Sequence, residues 1–191
     1  MVGHWAERSV SNKYIMRISE LINESIINEI TRPDIDQAQE ILKKAGYHEI
    51  GSGFESLVFQ RPGDKYVLKL IDSGATSYFD FINLAKSSKN PHFPVFKGNL
   101  MKVTDNYYAI RMEPLSVFTD SKVANLIERY TMKLSKSSSN ELSSVEMDEL
   151  EKSQPEIKDA CYLVAKLISE KGYHSDMMTN NFMLRGNTIV F

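Results

Sequence analysis

Tyr47-His48-Glu49-Ile50, Gly51-Ser52-Gly53, Ser56-Leu57-Val58-Phe59-Gln60, Arg61-Pro62-Gly63-Asp64 and Tyr66-Val67-Leu68-Lys69-Leu70-Ile71 follow one another within a single stretch of the chain. Apolar, strand-length runs alternate there with glycine and Pro-Gly punctuation. The pattern predicts strand, tight glycine loop, strand, turn, strand, which is an antiparallel meander. Downstream, Tyr78, Phe79, Ile82 and Ala85 predict a short helix over Ser77 to Ser88. Two more strands are expected over Val95 to Val103 and Tyr107 to Met112, separated by the turn Thr104-Asp105-Asn106. Five antiparallel strands with one inserted helix result.

On either side the periodicity is helical. Ile15, Ile18, Leu21, Ile22, Ile26, Ile27 and Ile30 recur at three- and four-residue steps, and a second helix carries Ile35, Ala38, Ile41 and Leu42 between Pro33 and Gly46. Residues 1–46 are therefore expected to form a helical extension. After Pro114, a helix is expected around Val117, Val123, Leu126, Ile127 and Tyr130. The polar run Ser135-Lys136-Ser137-Ser138-Ser139-Asn140 follows as a connector. Another helix, from near Pro155 to Gly172, shows Ile157, Ala160, Cys161, Val164, Leu167 and Ile168, and a hairpin is expected over 182–190. The fold class expected is α+β, with a sheet region over 47–113 and a mainly helical region over 114–191.

Composition narrows the function classes. With 191 residues, 42% hydrophobic and 25% charged, the chain has material for a true core. Lys+Arg 23 against Asp+Glu 25 leaves a net charge of -2, so no global basic field exists and direct nucleic-acid binding is not expected. The single cysteine, Cys161, excludes an internal disulfide. His4, His48, His92 and His174 stand far apart without metal-ligand spacing. No window approaches the roughly 20 apolar residues a bilayer demands, and MVGHWAERSV has no signal-peptide apolar run, so the expectation is a cytoplasmic protein without membrane attachment.

Three local signals carry candidate chemistry. Gly51-Ser52-Gly53 lies between two strands, a context that suits neither a dinucleotide fingerprint nor a Walker loop, both of which need a following helix. It suits a hairpin flap over nucleotide phosphates, although read alone it fits a plain turn better. Lys69 sits among apolar neighbours in a strand. Facing inward, its ammonium needs an anionic partner such as a phosphate; facing outward, it is an ordinary edge lysine. His174-x-Asp176-x-x-x-x-Asn181 follows an amphipathic helix and precedes a hairpin. There Asp176 could accept a proton from an attacking hydroxyl and Asn181 could ligate Mg²⁺; the alternative is a polar connection with Asp and Asn as turn formers.

Taken in order, glycine flap, strand lysine, two further strands, helices and the Asp-Asn loop resemble the protein-kinase-like bilobal fold. The chain is similar in particular to the early Ser/Thr protein kinases of autographiviruses, short-tailed phages, through Ala45-Gly46-Tyr47, Gly51-Ser52-Gly53-Phe54, Val67-Leu68-Lys69, Asp72-Ser73-Gly74-Ala75 and Asp176 to Asn181 with Phe182-Met183. The resemblance implies ATP and Mg²⁺ as cofactors, host bacterial proteins as substrates and work in the host cytoplasm. It implies Asp176 and Lys69 as catalytic residues and Asn181 as metal ligand. Gly51, Gly53, Val58, Lys69, Met112, Glu113 and Leu115 would surround the nucleotide, with Met112 gatekeeper-like and the backbones of Glu113 and Leu115 meeting adenine.

Two departures stand out. No Glu lies between Glu55 and Glu113 to pair with the strand lysine, so Asp80 is the expected substitute, assigned to the cofactor site through Lys69. Kinases also place a metal-binding aspartate after the hairpin, and this sequence reaches Phe191 without it, so the expectation is a truncated helical lobe with impaired turnover. The alternative to a kinase is thus a kinase-fold protein that inhibits a host factor by binding. A small-molecule phosphotransferase, whose family shares a similar His-x-Asp-x4-Asn loop, ranks below both.

Overall fold

A computed structural model describes residues 35–52, 56–103, 106–136, 145–173 and 181–191. The expected helix over Ser11 to Ile30, residues 137–140 of the serine-rich connector, Gly53, His174 and Asp176 lie outside them. The fold is mixed α+β. In chain order it comprises α1 (Ile35–Lys44), β1 (His48–Ser52), β2 (Ser56–Gln60), β3 (Val67–Asp72), α2 (Thr76–Ser87), β4 (Phe96–Lys102), β5 (Tyr107–Met112) and β6 (Ser116–Val117). There follow α3 (Ser121–Lys136), α4 (Val145–Ser153), α5 (Ile157–Lys171), β7 (Met183–Arg185) and β8 (Thr188–Val190). The chain divides into two compact units at Thr76/Ser77, Phe96/Lys97 and Pro114/Leu115.

The first unit is built on the five-stranded antiparallel sheet, in the order β1-β2-β3-β5-β4. Turn chemistry sets its path: Gly63 closes the β2–β3 connection at φ +85, a left-handed conformation that a side chain would strain. One face of the sheet buries Phe59, Leu68, Leu70 and Ala109 with Leu42 of α1 and Tyr47, and the partly buried Leu57 packs against them. β3 pairs without a break with β2 and β5, so Val67, Lys69 and Ile71 belong to the other face, where Val67 and Ile71 are also buried.

In the second unit α3 and α5 pack together, and α4 contacts both. Ala124, Ile127, Tyr130 and Leu134 of α3 face Ile157, Cys161 and Ala165 of α5, with Met147 of α4 and with Phe182 and Ile189 of the β7–β8 hairpin. These residues recur at three- and four-residue steps, the spacing that puts them on one side of each helix. Asp120 caps α3, its carboxylate accepting from the backbone N–H groups of Lys122 and Val123, both at 3.1 Å. Strands β6, β7 and β8 form a small sheet in that order.

A turn over Asn90 to Phe93 ties this unit together. His92 is buried, with Nδ1 2.6 Å from the Ile189 carbonyl oxygen and Nε2 2.8 Å from that of Pro155. Arg185 donates to the carbonyls of Pro91 and Phe93, each at 2.8 Å, and the Phe191 N–H donates to His92 O at 2.9 Å. Three segments distant in sequence are thereby joined by backbone acceptors, which leaves no room for slippage among them.

Candidate functional site

The sheet register decides what surrounds Lys69. Gly51 of β1 lies opposite Val58 of β2, Val58 opposite Lys69 of β3, and Lys69 opposite Ile110 of β5. Residues directly opposite one another in antiparallel strands share a face, so these four form one row across the sheet. Met112 falls on the same face, paired with Val67 beside the row. Of the expected nucleotide-site residues, Gly51, Val58, Lys69 and Met112 are thus brought together by strand pairing alone.

A local irregularity makes this alignment possible. Glu49 pairs with Phe59 and Gly51 with Val58, so Ile50 is an extra residue, a β-bulge in the edge strand. The bulge brings Gly51 onto the lysine row. A Cβ added at Gly51 would meet nothing within 4 Å, and Gly51 is not among the glycines with positive φ. Neither packing nor backbone conformation requires glycine there, and the space above it is open.

Lys69 is part-buried between the buried Leu68 and Leu70, and burial pulls its ammonium down from the ordinary lysine value to about 8. A desolvated amine in this row, two strands from Gly51, is a place where an anion would be held strongly once bound. Nearby, Asp72 forms a tight turn in which its Oδ1 accepts from the Gly74 N–H at 2.7 Å.

The remaining expected site residues fall as follows. Met112 closes β5, and Glu113 follows it in the first unit, both half-buried, while Leu115 belongs to the second unit. Asn181, in the second unit, is exposed just before β7. Asp80 lies on α2, and its Oδ2 accepts from the Tyr173 hydroxyl at 2.9 Å and stands 3.1 Å from Lys171 Nζ. The hydrogen bond from Tyr173, then that from Lys171, holds the Asp80 carboxyl below its usual range. Neither Tyr173 nor Lys171 is singled out by motif, and the one available signal is that Tyr173 directly precedes His174. Ile110 was also missed, although strand parity points to it once the register is known.

For a metal, the amide oxygen of Asn181 is of the right chemistry, and among the described residues no group of three or more His, Cys, Asp or Glu is gathered. Among the described residues no helix is long and apolar enough to cross a membrane. No protein-family model matches the chain, and no curated protein matches it.

Proposed function

We propose that this chain is a phage-type Ser/Thr protein kinase of the protein-kinase-like fold, transferring the γ-phosphoryl group of ATP to host bacterial proteins in the cytoplasm. The observation that carries the reading is the row Gly51, Val58, Lys69 and Ile110, which puts a desolvated lysine on the same sheet face as an unfilled glycine two strands away. The strand order β1-β2-β3-β5-β4, with α2 inserted between β3 and β4, supports it, because a glycine flap, a lysine strand and a following helix occur in the order that nucleotide flaps require.

In this reading Lys69 orients the phosphates, whose negative charge stabilises the ammonium that burial disfavours. Val58 and Met112 offer apolar surface to the base. Asp176 accepts the proton of a substrate hydroxyl as its oxygen attacks the γ-phosphorus. The bond from that phosphorus to the bridging oxygen breaks, ADP leaves with the electron pair, and a phosphate ester forms. Mg²⁺, when bound, neutralises phosphate charge, and Asn181 would be among its ligands.

The test is incubation of the purified chain with labelled ATP, Mg²⁺ and bacterial extract, beside Lys69→Ala and Asp176→Ala. Transfer to a host protein that falls by about 100-fold or more in both variants is expected. Absence of transfer, together with retention of one bacterial protein regardless of nucleotide, would replace the kinase by the alternative of inhibition through binding.

A further inference from the structure

α3 has two unlike sides. Ala124, Ile127, Tyr130, Thr131 and Leu134 are buried on one of them. At about 100° per residue, Lys122, Asn125, Arg129, Lys133 and Lys136 fall within an arc of roughly 80° on the opposite side, and all five are exposed. Four of the five are cations. The acid of this helix, Glu128, is half-buried and lies outside that arc. A basic stripe about 21 Å long thus runs from end to end of α3, on a chain whose net charge is -2.

Helix stability does not account for the whole stripe. Lys133 and Lys136 lie in the last turn, where cations complement the helix dipole. Lys122 lies in the first turn, where a cation opposes that dipole, and no acid accompanies it there. The Asp120 carboxylate just before it accepts from the backbone N–H groups of Lys122 and Val123. Arg129 donates from Nε to the Asn125 carbonyl at 3.4 Å, a contact within the stripe that involves no carboxylate. Elsewhere in the unit the pattern differs: Lys152 stands against Glu149, Lys158 against Asp148 and Lys166 against Glu170.

The surroundings choose among anionic partners. A bilayer would take up the apolar side of an amphipathic helix as well, and here that side is buried in the core with α4 and α5. A nucleic-acid duplex extends well past the stripe and would run against α4, which contacts α3 and carries Glu146, Asp148, Glu149 and Glu151. A short acidic segment of a protein meets neither obstacle. Steps of seven, four and three residues separate the cations by about 10.5, 6 and 4.5 Å along the axis, a total that roughly seven residues of extended chain would span.

We propose that the exposed side of α3 is a docking surface for a short acidic segment of a partner protein, held by ion pairs to Lys122, Arg129, Lys133 and Lys136. The proposal goes beyond phosphoryl transfer and does not depend on it: the partner is a substrate if the chain is a kinase and a captured host factor if it is an inhibitor. Ion pairs this exposed are individually weak, so the affinity is modest and falls with salt.

Fluorescence anisotropy of the full chain without ATP, using as probe a labelled peptide of about ten residues with alternating Glu and Ser, reads this surface. Wild type is compared with Lys122→Glu/Arg129→Glu and with the charge-matched control Lys152→Glu/Lys166→Glu on α4 and α5. Expected is saturable binding that falls by about 10-fold or more in the α3 variant and stays within about twofold in the control. Raising salt from about 50 to 300 mM should weaken it in wild type. Because Lys122→Glu puts an acid in the first turn, Tm should hold or rise while binding falls, whereas a merely structural role would lower both. Should the reversed variant fail to fold, Lys122→Gln/Arg129→Gln removes the charges without reversing them, and a fall of about threefold or more is expected. No binding of the peptide, or binding that survives both α3 variants, overturns the proposal. So does tighter binding of a DNA duplex or of phosphatidylserine vesicles that the α3 variant abolishes, which would give the stripe to nucleic acid or membrane. Self-association lost in the α3 variant would give it to a second copy of this chain and overturn the proposal likewise. A chain that transfers no phosphate would leave the peptide result standing.

Discussion

Lys69 of the sheet unit and Lys158 of the helical unit are both part-buried, and their surroundings act on them in opposite senses. Burial pulls the Lys69 ammonium down to about 8, whereas the hydrogen bond and charge of Asp148 push that of Lys158 up. The same side chain thus weakens the fold in one unit and supports it in the other. Around His92 and Arg185 the polar side chains end instead on backbone carbonyls, and the result is a structural tie. Desolvation dominates at Lys69 and a carboxylate at Lys158, and a strong perturbation by burial is the more frequent mark of a binding site.

The largest effect expected from breaking this contrast is at the scaffold. His92→Ala would leave the Ile189 and Pro155 carbonyls without their buried partner and open a cavity, at about 3 kcal/mol or more. In a chain of this size that lowers Tm by roughly 10 °C, which thermal unfolding would read. A fall of under about 2 °C would show that the Asn90 to Phe93 turn does not hold the unit together.

Next in size is Lys69→Met, which should raise stability at pH 7 by about 2 kcal/mol. With a folded value near 8 against 10.5, the unfolded chain holds more protons across that interval. The penalty is therefore full below about pH 8 and is relieved as pH rises towards 10.5, so the advantage of Lys69→Met should shrink over the same window. Lys158→Met should have the opposite sign, a loss of about 1 kcal/mol or less. Its contribution is present below the ordinary lysine value and vanishes as pH rises through the raised one. Denaturant titrations at several pH values would show both slopes, and equal signs would erase the distinction between the two lysines.

Gly51→Ala sharpens the comparison at the open end of the row. With nothing within 4 Å of the added methyl, stability should change by less than about 1 kcal/mol. ATP affinity, measured by calorimetry, should nonetheless fall several-fold if phosphates lie above that glycine; an unchanged affinity would move them elsewhere. The smallest effect is expected at Lys166→Ala on the exposed face of α5. Its pair with Glu170 at 3.8 Å, with both side chains more than half exposed, contributes no more than about 0.5 kcal/mol.

Much of the sheet was legible in the sequence because strand alternation and turn chemistry are local. Ser56 to Gln60 and Tyr107 to Met112 are strands over the residues expected, and Gly46 follows α1 with φ +83 as a helix stop should. α4 was not legible. Only Met147 and Leu150 of its nine residues pack against the core, and Val145 is 78% exposed, too thin a stripe to reveal a period. The two-residue β6 exists through pairing with β7, which no local signal announces. At the candidate site, Val58 and Lys69 were found from their places in the strands, but their alignment with Gly51 depends on the Ile50 bulge, a defect that composition does not encode. The partners of Asp80 were out of reach for the same reason: Tyr173 and Lys171 come to it from more than 90 residues along the chain, through tertiary packing.

That bulge also says which insertions and deletions this sheet would tolerate. Removing Ile50 would straighten the edge strand and still leave Gly51 across from Val58, so length at this point has slack. A one-residue deletion inside β2 has no such slack. It would exchange the two faces of that strand and carry Leu57 or Phe59, now packed towards α1, over the amine. Homologous chains should accordingly vary in length before Gly51 and hold it constant from Ser56 to Lys69.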